Sequence, residues 1–237
     1  MRLGGKFDSN SAVKSAIAEL SNFELFKGLS HDELEMLCSG AMIKVLNHRE
    51  CLFHLGAPAH NFAIVLNGAM KLSKFTPSGD EAVMYFSAPG DVIGALVMPQ
   101  ENSVYPVMVK SMGPSRCFII SRQVYNQNWL KNIGLVSRIQ AQLFTRMQRF
   151  QTHQSQNKLP LAAKIAGTLL DLVSKGTEGD LIEIPITRKE IADHLGVAPE
   201  SVIRIMSEWT KEGYIESDDK LLRIVRPDIL VALVDQQ

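Results

Sequence analysis

The 237 residues contain no long apolar run, no cysteine pair, no excess charge of either sign and no signature of a known catalytic centre, and each absence closes off a class of function. Lys plus Arg number 25 and Asp plus Glu number 25, so the formal net charge is zero. A protein that coats nucleic acid without regard to sequence relies on excess positive charge, which this chain lacks. No apolar stretch approaches the ~18 residues that cross a bilayer, so no membrane partner is expected. The N-terminal stretch MRLGGKFDSNSAVKSAIAEL has neither an apolar core segment nor a small-residue cleavage site, which predicts a cytoplasmic rather than a secreted protein. Cys38, Cys51 and Cys117 are widely spaced and form no CxxC pair. They read as reduced thiols rather than a disulfide framework or a thiolate metal site. Cys117, inside RCFII, reads as buried and inert; Cys51, beside Arg49 and Glu50 at a strand start, is the better candidate for a thiol switch. HExxH, GxSxG and phosphate-cradling glycine loops are missing, and the adjacent Asp80 and Glu81 point to opposite faces of an extended strand. No catalytic residue is assigned, and an enzyme is not expected.

What is present is concentrated in TRKEIADHLGVAPESVIRIMSEWTKEGYI, residues 187–215. Thr187 with Glu190 three residues on is a capping box, starting a helix that buries Ile191 and Leu195. Gly196 supplies the tight turn, and Pro199 sits at the first position of a second helix, where its missing N–H costs nothing. At 100° per residue Val202, Ile205, Met206 and Trp209 share one face, and Glu200, Arg204, Ser207 and Lys211 share the other. Such a helix suits reading of the major groove. Residues 187–226 hold seven Lys/Arg and eight Asp/Glu. Affinity must therefore come from a few placed cations and from two copies acting together, which predicts a homodimer on a pseudo-palindromic duplex.

Upstream, residues 11–20 read as a short helix, and Ser30-His31-Asp32-Glu33 as a second capping box whose helix carries Leu34, Leu37 and Met42. Between about 43 and 122, CLFHL, NFAIVL, AMKLSKF, AVMYFSA and RCFII alternate with Gly and Pro turns, the pattern of an antiparallel sandwich or barrel. FTPSGDEAV reads as a hairpin turning around Pro77 to Asp80. Residues 131–158 then form a long helix with the stripe Val136, Ile139, Leu143, Met147 and Phe150. Pro160 ends it. Residues 161–174 form another helix with Ile165, Leu169, Leu172 and Val173 on one face, Leu181–Ile186 a short strand, and Tyr214 to Val225 a hairpin wing turning at Asp218-Asp219. The fold class is α+β: an antiparallel β-roll or jelly-roll domain with N-terminal helices (1–130), a long helix (131–158) that is either a core strut or one strand of a dimer coiled coil, and a C-terminal winged helix-turn-helix domain (159–237).

This order, from LFKGLSHDELEML through GAPAHNFAIVLNGAMKL and APGDVIG to TRKEIADHLGVAPESVIRIM, resembles the cyclic-AMP receptor protein/fumarate-nitrate reductase regulator (CRP/FNR) superfamily of transcription regulators. The resemblance implies DNA contacts from Thr187, Arg188, Pro199, Glu200, Ser201, Ile203, Arg204, Ser207 and Lys211. Glu200 and Arg204 occupy the positions that read bases in that family, with Ile203 just before the arginine. It also implies RNA polymerase as a partner and a small-molecule effector.

The effector half departs from the family's pattern. Members that bind cyclic AMP carry Gly-Glu-Leu, then Arg-Ser some ten residues on. Their glutamate holds the ribose and their arginine the phosphate. This chain has Gly94-Ala95-Leu96, and Tyr105-Pro106 near the arginine position. A buried phosphate without a cation is strongly disfavoured, so ordinary cyclic-AMP binding is not expected. The corresponding pocket is assigned to Gly94, Ala95, Met98, Tyr105, Pro106, Arg149 and Phe150, with Arg138, Arg146 or Arg149 as alternative phosphate partners. A ligand there is expected to shift the long helix or its hinge near Asn157–Pro160. Three scattered cysteines cannot hold an iron–sulfur cluster. A haem-dependent gas sensor, with His48, His54, His60 or His153 as axial ligand, and a cyclic-nucleotide response through a non-standard pocket remain as alternatives. The cofactor is left unknown.

Overall fold

Ser30 starts a helix because its side chain accepts the Glu33 amide while the Glu33 carboxylate accepts the Ser30 amide, so two otherwise orphaned donors are satisfied together. In the computed structural model, which describes residues 9–77, 79, 81–155, 159–173, 183–184, 186–218 and 221–235, this helix is α2 (His31–Leu37). It follows α1 (Ser9–Leu20) and a 3-10 turn (Glu24–Phe26). It stops at Leu37, so Met42 is not on it: Met42 opens the next strand, 66% exposed.

Eight strands come next: β1 (Met42–Leu46), β2 (Cys51–Phe53), β3 (Asn61–Asn67), β4 (Met70–Phe75), β5 (Glu81–Ser87), β6 (Val92–Ile93), β7 (Met108–Ser111) and β8 (Ser115–Ser121). They pair antiparallel into two four-stranded sheets, ordered β1-β8-β3-β6 and β2-β7-β4-β5. Two antiparallel sheets of short strands are what the turn spacing implies, and together they form a β-roll. Gly68, at φ 83°, marks one tight corner: a Cβ there would lie 2.3 Å from Ser115 Oγ. Five successive residues of β3, Phe62 to Leu66, are buried, the mark of a strand covered on both faces. The roll's core closes against Trp129, which is fully buried, donates Nε1–H to Leu37 O at 2.8 Å and meets Phe62 edge-on.

A short helix α3 (Arg122–Val124) runs into a π-helical turn (Tyr125–Trp129), and α4 (Ile133–Ser155) follows. Leu135 and Ile139 are buried against the roll, with Leu143 packed on that core. Ile133, Phe144 and Met147 lie on the uncovered side at 82%, 55% and 50% exposure. Met147 therefore does not belong to the buried stripe, while Leu135 does. The side chains of Arg146, Arg149, Phe150 and His153 lie outside the described residues, as does Asn157.

The C-terminal part comprises α5 (Leu161–Val173), β9 (Glu183–Ile184), α6 (Arg188–Leu195), α7 (Pro199–Lys211), β10 (Ile215–Asp218), β11 (Leu221–Ile224) and α8 (Pro227–Asp235). The wing is a three-stranded antiparallel sheet ordered β10-β11-β9. Ile165, Leu169 and Leu172 of α5 are buried as expected; the Val173 side chain lies outside the described residues. Helix α8 was not expected. It buries Leu230 in the same core and packs on α5.

Candidate DNA interface and effector pocket

Helix α6 begins at Thr187, whose hydroxyl accepts the Glu190 amide (3.2 Å). Glu190 Oε2 in turn accepts the Thr187 amide (3.0 Å) and hydroxyl (2.9 Å). The Thr187 hydroxyl is thus spent on the cap, and its part in a nucleic-acid site is to fix the start of the helix. Gly196 adopts φ 65° at the C-cap, a left-handed conformation that any Cβ disfavours, and reverses the chain into α7. Pro199 stands at the first turn of α7.

On α7 the two faces separate as the periodicity requires. Val202, Met206 and Trp209 are buried, and Ile205 is half-buried against the same core. Glu200, Ile203, Arg204 and Lys211 are exposed, and Ser201 and Ser207 are half-buried. One turn separates Glu200 from Arg204, so acceptor and donor stand side by side on an open face with apolar Ile203 between them. Arg188, in the first turn of α6, has a buried Nε with no hydrogen-bond partner.

The second site is a cavity of about 140 Å³ between the β-roll and α4. Gly94, Ala95, Tyr105 and Pro106 line it, joined by Phe53, Leu72, Val109 and, from α4, Ile139, Gln142 and Leu143. Met98 does not line it: at 1% exposure it packs into the core beneath the turn Ala95–Val97. None of the described lining residues is charged. Tyr105 stacks on Phe53 with ring centroids 4.2 Å apart. Its hydroxyl donates to Asn61 O at 2.7 Å and accepts the Asn61 amide at 3.3 Å. Burial is the main cause of a phenol pKa pushed above its ordinary value, so Tyr105 is a neutral wall. Its ring also lies against Gly94, where a Cβ would meet Cε1 at 3.5 Å.

Among the described residues, the cations Arg138 and Arg122 are committed elsewhere. Arg138 donates to the carbonyls of Leu25 (3.1 Å) and Lys27 (2.6 Å), tying α4 to the N-terminal turn rather than supplying a phosphate partner. Arg122 donates to Gln100 O (2.9 Å), Ala59 O and Ser103 Oγ. His48, His54 and His60 are exposed and line no part of the cavity, and His48 Nδ1 instead meets Met112 O. Cys117 is buried with its thiol pushed up to about 12 by desolvation. Cys51 departs from the reactive reading: burial raises its pKa despite Lys110 and Lys44, and its thiol donates to Phe53 O.

Comparison with known proteins matches residues 43–131 to the cyclic nucleotide-binding domain and residues 163–233 to the Crp-like helix-turn-helix domain. The transcriptional activator protein FnrA of Stutzerimonas stutzeri is 26% identical over 197 residues, covering 79% of this chain and 78% of that protein. The cAMP-activated global transcriptional regulator CRP of Pasteurella multocida is 25% identical over 193 residues, covering 80% of this chain and 92% of that one. The structure of FixK2 from Bradyrhizobium japonicum superposes with a TM-score of 0.69 at 18% identity, covering 83% of this chain and 98% of that chain.

Proposed function

From the premise that the chain belongs to the CRP/FNR family of DNA-binding transcription regulators, we infer that it acts as a homodimer on a pseudo-palindromic duplex, under an effector domain that has lost the cyclic-nucleotide anchors. The observation that carries this reading is the exposed trio Glu200, Ile203 and Arg204 on a helix whose opposite face is buried. Arg204 donates two hydrogen bonds to a guanine, Glu200 accepts from a cytosine amino group, and Ile203 meets a thymine methyl. Arg188, in the first turn of α6, and Lys211, in the last turn of α7, serve the phosphates. RNA polymerase is the expected protein partner.

Two copies place their α7 helices in successive major grooves about one helical turn, ~34 Å, apart. The uncovered apolar side chains Ile133, Phe144 and Met147 of α4 support pairing through that helix. The division into effector domain (1–130), dimerisation helix (131–158) and winged domain (159–237) belongs to the same reading. Sedimentation at micromolar concentration, with and without duplex, tests it: a dimer is expected, and a monomer under both conditions refutes it.

For the effector, an uncharged, compact and largely apolar molecule fits a cavity of about 140 Å³ whose described lining residues carry no charge, with Gln142 among them as a polar side chain that orients it. A haem is disfavoured because His48, His54 and His60 are not among the lining residues and because the cavity is small.

A further inference from the structure

The effector cavity and the DNA-binding domain meet opposite faces of the same two strands. Leu72 of β4 and Val109 of β7 are register partners, and both line the cavity. Their chain neighbours Lys71 and Lys110 are also register partners, and strand alternation turns these to the other face. Two lysines directly opposite repel, so that face requires anions.

The anions come from two places. Glu81 of β5 accepts Lys71 Nζ at 3.0 Å and Ser73 Oγ at 2.6 Å, and lies 3.9 Å from Lys110 Nζ. Glu190 of α6 lies 3.5 Å from Lys71 through Oε1, while its Oε2 holds the Thr187 cap. The Lys71 and Glu190 side chains are only 12% and 11% exposed. Apolar contacts complete the seam: Ala69, Val83, Phe86 and Met112 of the β-roll share one buried cluster with Ile186, Ile191 and Ala192. The His194 ring lies 5.0 Å from that of Phe86, with Nδ1 3.3 Å from Val83 O. In this docked arrangement Glu200, Ile203 and Arg204 are exposed.

We propose that the Lys71–Glu190 pair is a latch between β4 and α6 that holds the winged domain docked with its reading face free, and that the β4–β7 strand pair carries the state of the effector cavity to it. A molecule that displaces Leu72 and Val109 on one face must displace Lys71 and Lys110 on the other, because the pleat joins them rigidly. Breaking one half of a buried pair leaves the other half charged and without its partner, which drives hydration of the site. Without Lys71, Glu190 loses its cation and Glu81 keeps only Lys110 at 3.9 Å, which leaves two carboxylates and one lysine in the seam, and relief requires the seam to open. The part of this proposal that concerns DNA rests on the functional reading above; the part that concerns docking does not.

The test is a double-mutant cycle in the full-length protein with Lys71→Met, which keeps the aliphatic stem, and Glu190→Gln, which keeps an acceptor for the Thr187 cap. Amide hydrogen exchange is followed at Val83–Phe86 and Ile191–His194, and binding to the specific duplex is titrated in parallel. Each single variant is expected to speed exchange at both segments by about tenfold, mid-range for contacting charged residues, and the double variant no further. Duplex affinity should fall in all three by a common factor with base preference unchanged, and Lys71→Arg should restore it. Unchanged exchange in Lys71→Met, or additive single effects, overturns the latch. Coupled exchange in a protein that binds no duplex leaves the latch standing and refutes the DNA reading instead.

Discussion

On the proposed reading, cyclic AMP and cyclic GMP are ligands that the fold invites and the described side chains disfavour. Two charge-assisted contacts are missing where Ala95 and Tyr105 stand, and each such contact contributes ~1.5–3 kcal/mol. Their loss alone amounts to ~3–6 kcal/mol, or ~10²- to 10⁴-fold in affinity. A nucleotide would also have to displace Tyr105, which is held by two hydrogen bonds to Asn61 and by its stack on Phe53. The stack alone is worth ~0.5–1.5 kcal/mol beyond its area. The cavity, at about 140 Å³, is below the ~300 Å³ at which pockets for drug-sized ligands begin. Isothermal calorimetry of either nucleotide into the purified protein should therefore give no saturable heat below the high-micromolar range. A stoichiometric isotherm at low-micromolar concentration would refute this reasoning and would mean that a cation such as Arg146 or Arg149 of the long helix supplies the phosphate partner.

Other outcomes follow from the same geometry. Thr187→Ala removes the cap of α6 and should cost ~1 kcal/mol of stability in urea unfolding, with Thr187→Ser close to wild type. Gly68→Ala places a Cβ 2.3 Å from Ser115 Oγ at φ 83°. It should lower the unfolding midpoint clearly, whereas Gly134→Ala, whose nearest contact is 3.5 Å, should not. Thiol labelling near pH 7.5 should leave Cys38 and Cys117, both raised to about 12, unmodified in the native state and react with Cys51 slowly. Rapid modification of Cys51 would revive the thiol-switch reading.

The parts legible in the sequence are those whose signals are local. Both capping boxes, the left-handed Gly196 and the proline at the start of α7 follow from hydrogen-bonding groups three or four residues apart, and the split faces of α7 follow from helical periodicity. That Ala95 and Tyr105 depart from a family pattern could be seen in the sequence, but not how Tyr105 is held. The Tyr105 stack joins residues that are distant in sequence, and only the folded chain brings its ring over Gly94. Met98 was misplaced because a 3-10 turn, unlike an extended loop, rotates it into the core. Met147 fits the apolar stripe by spacing, yet the β-roll covers α4 only as far as Leu143. Helix α8 went unread because PDILVALVD carries too little polar contrast to separate it from a strand. The seam between Lys71 and Glu190 could not be read at all. Neither residue has a local signal for it, and Glu190 already had a full explanation as a cap.

The central claim is that α7 reads base sequence, and the most direct measurement is the affinity of Arg204→Ala for a panel of duplexes, each changed at one base pair of the half-site, at fixed salt. The account predicts a loss of ~1–3 kcal/mol on the preferred duplex with discrimination erased at a single guanine position and retained at the others. Equal weakening across the whole panel, with every base preference intact, would make Arg204 a phosphate contact and contradict the assignment.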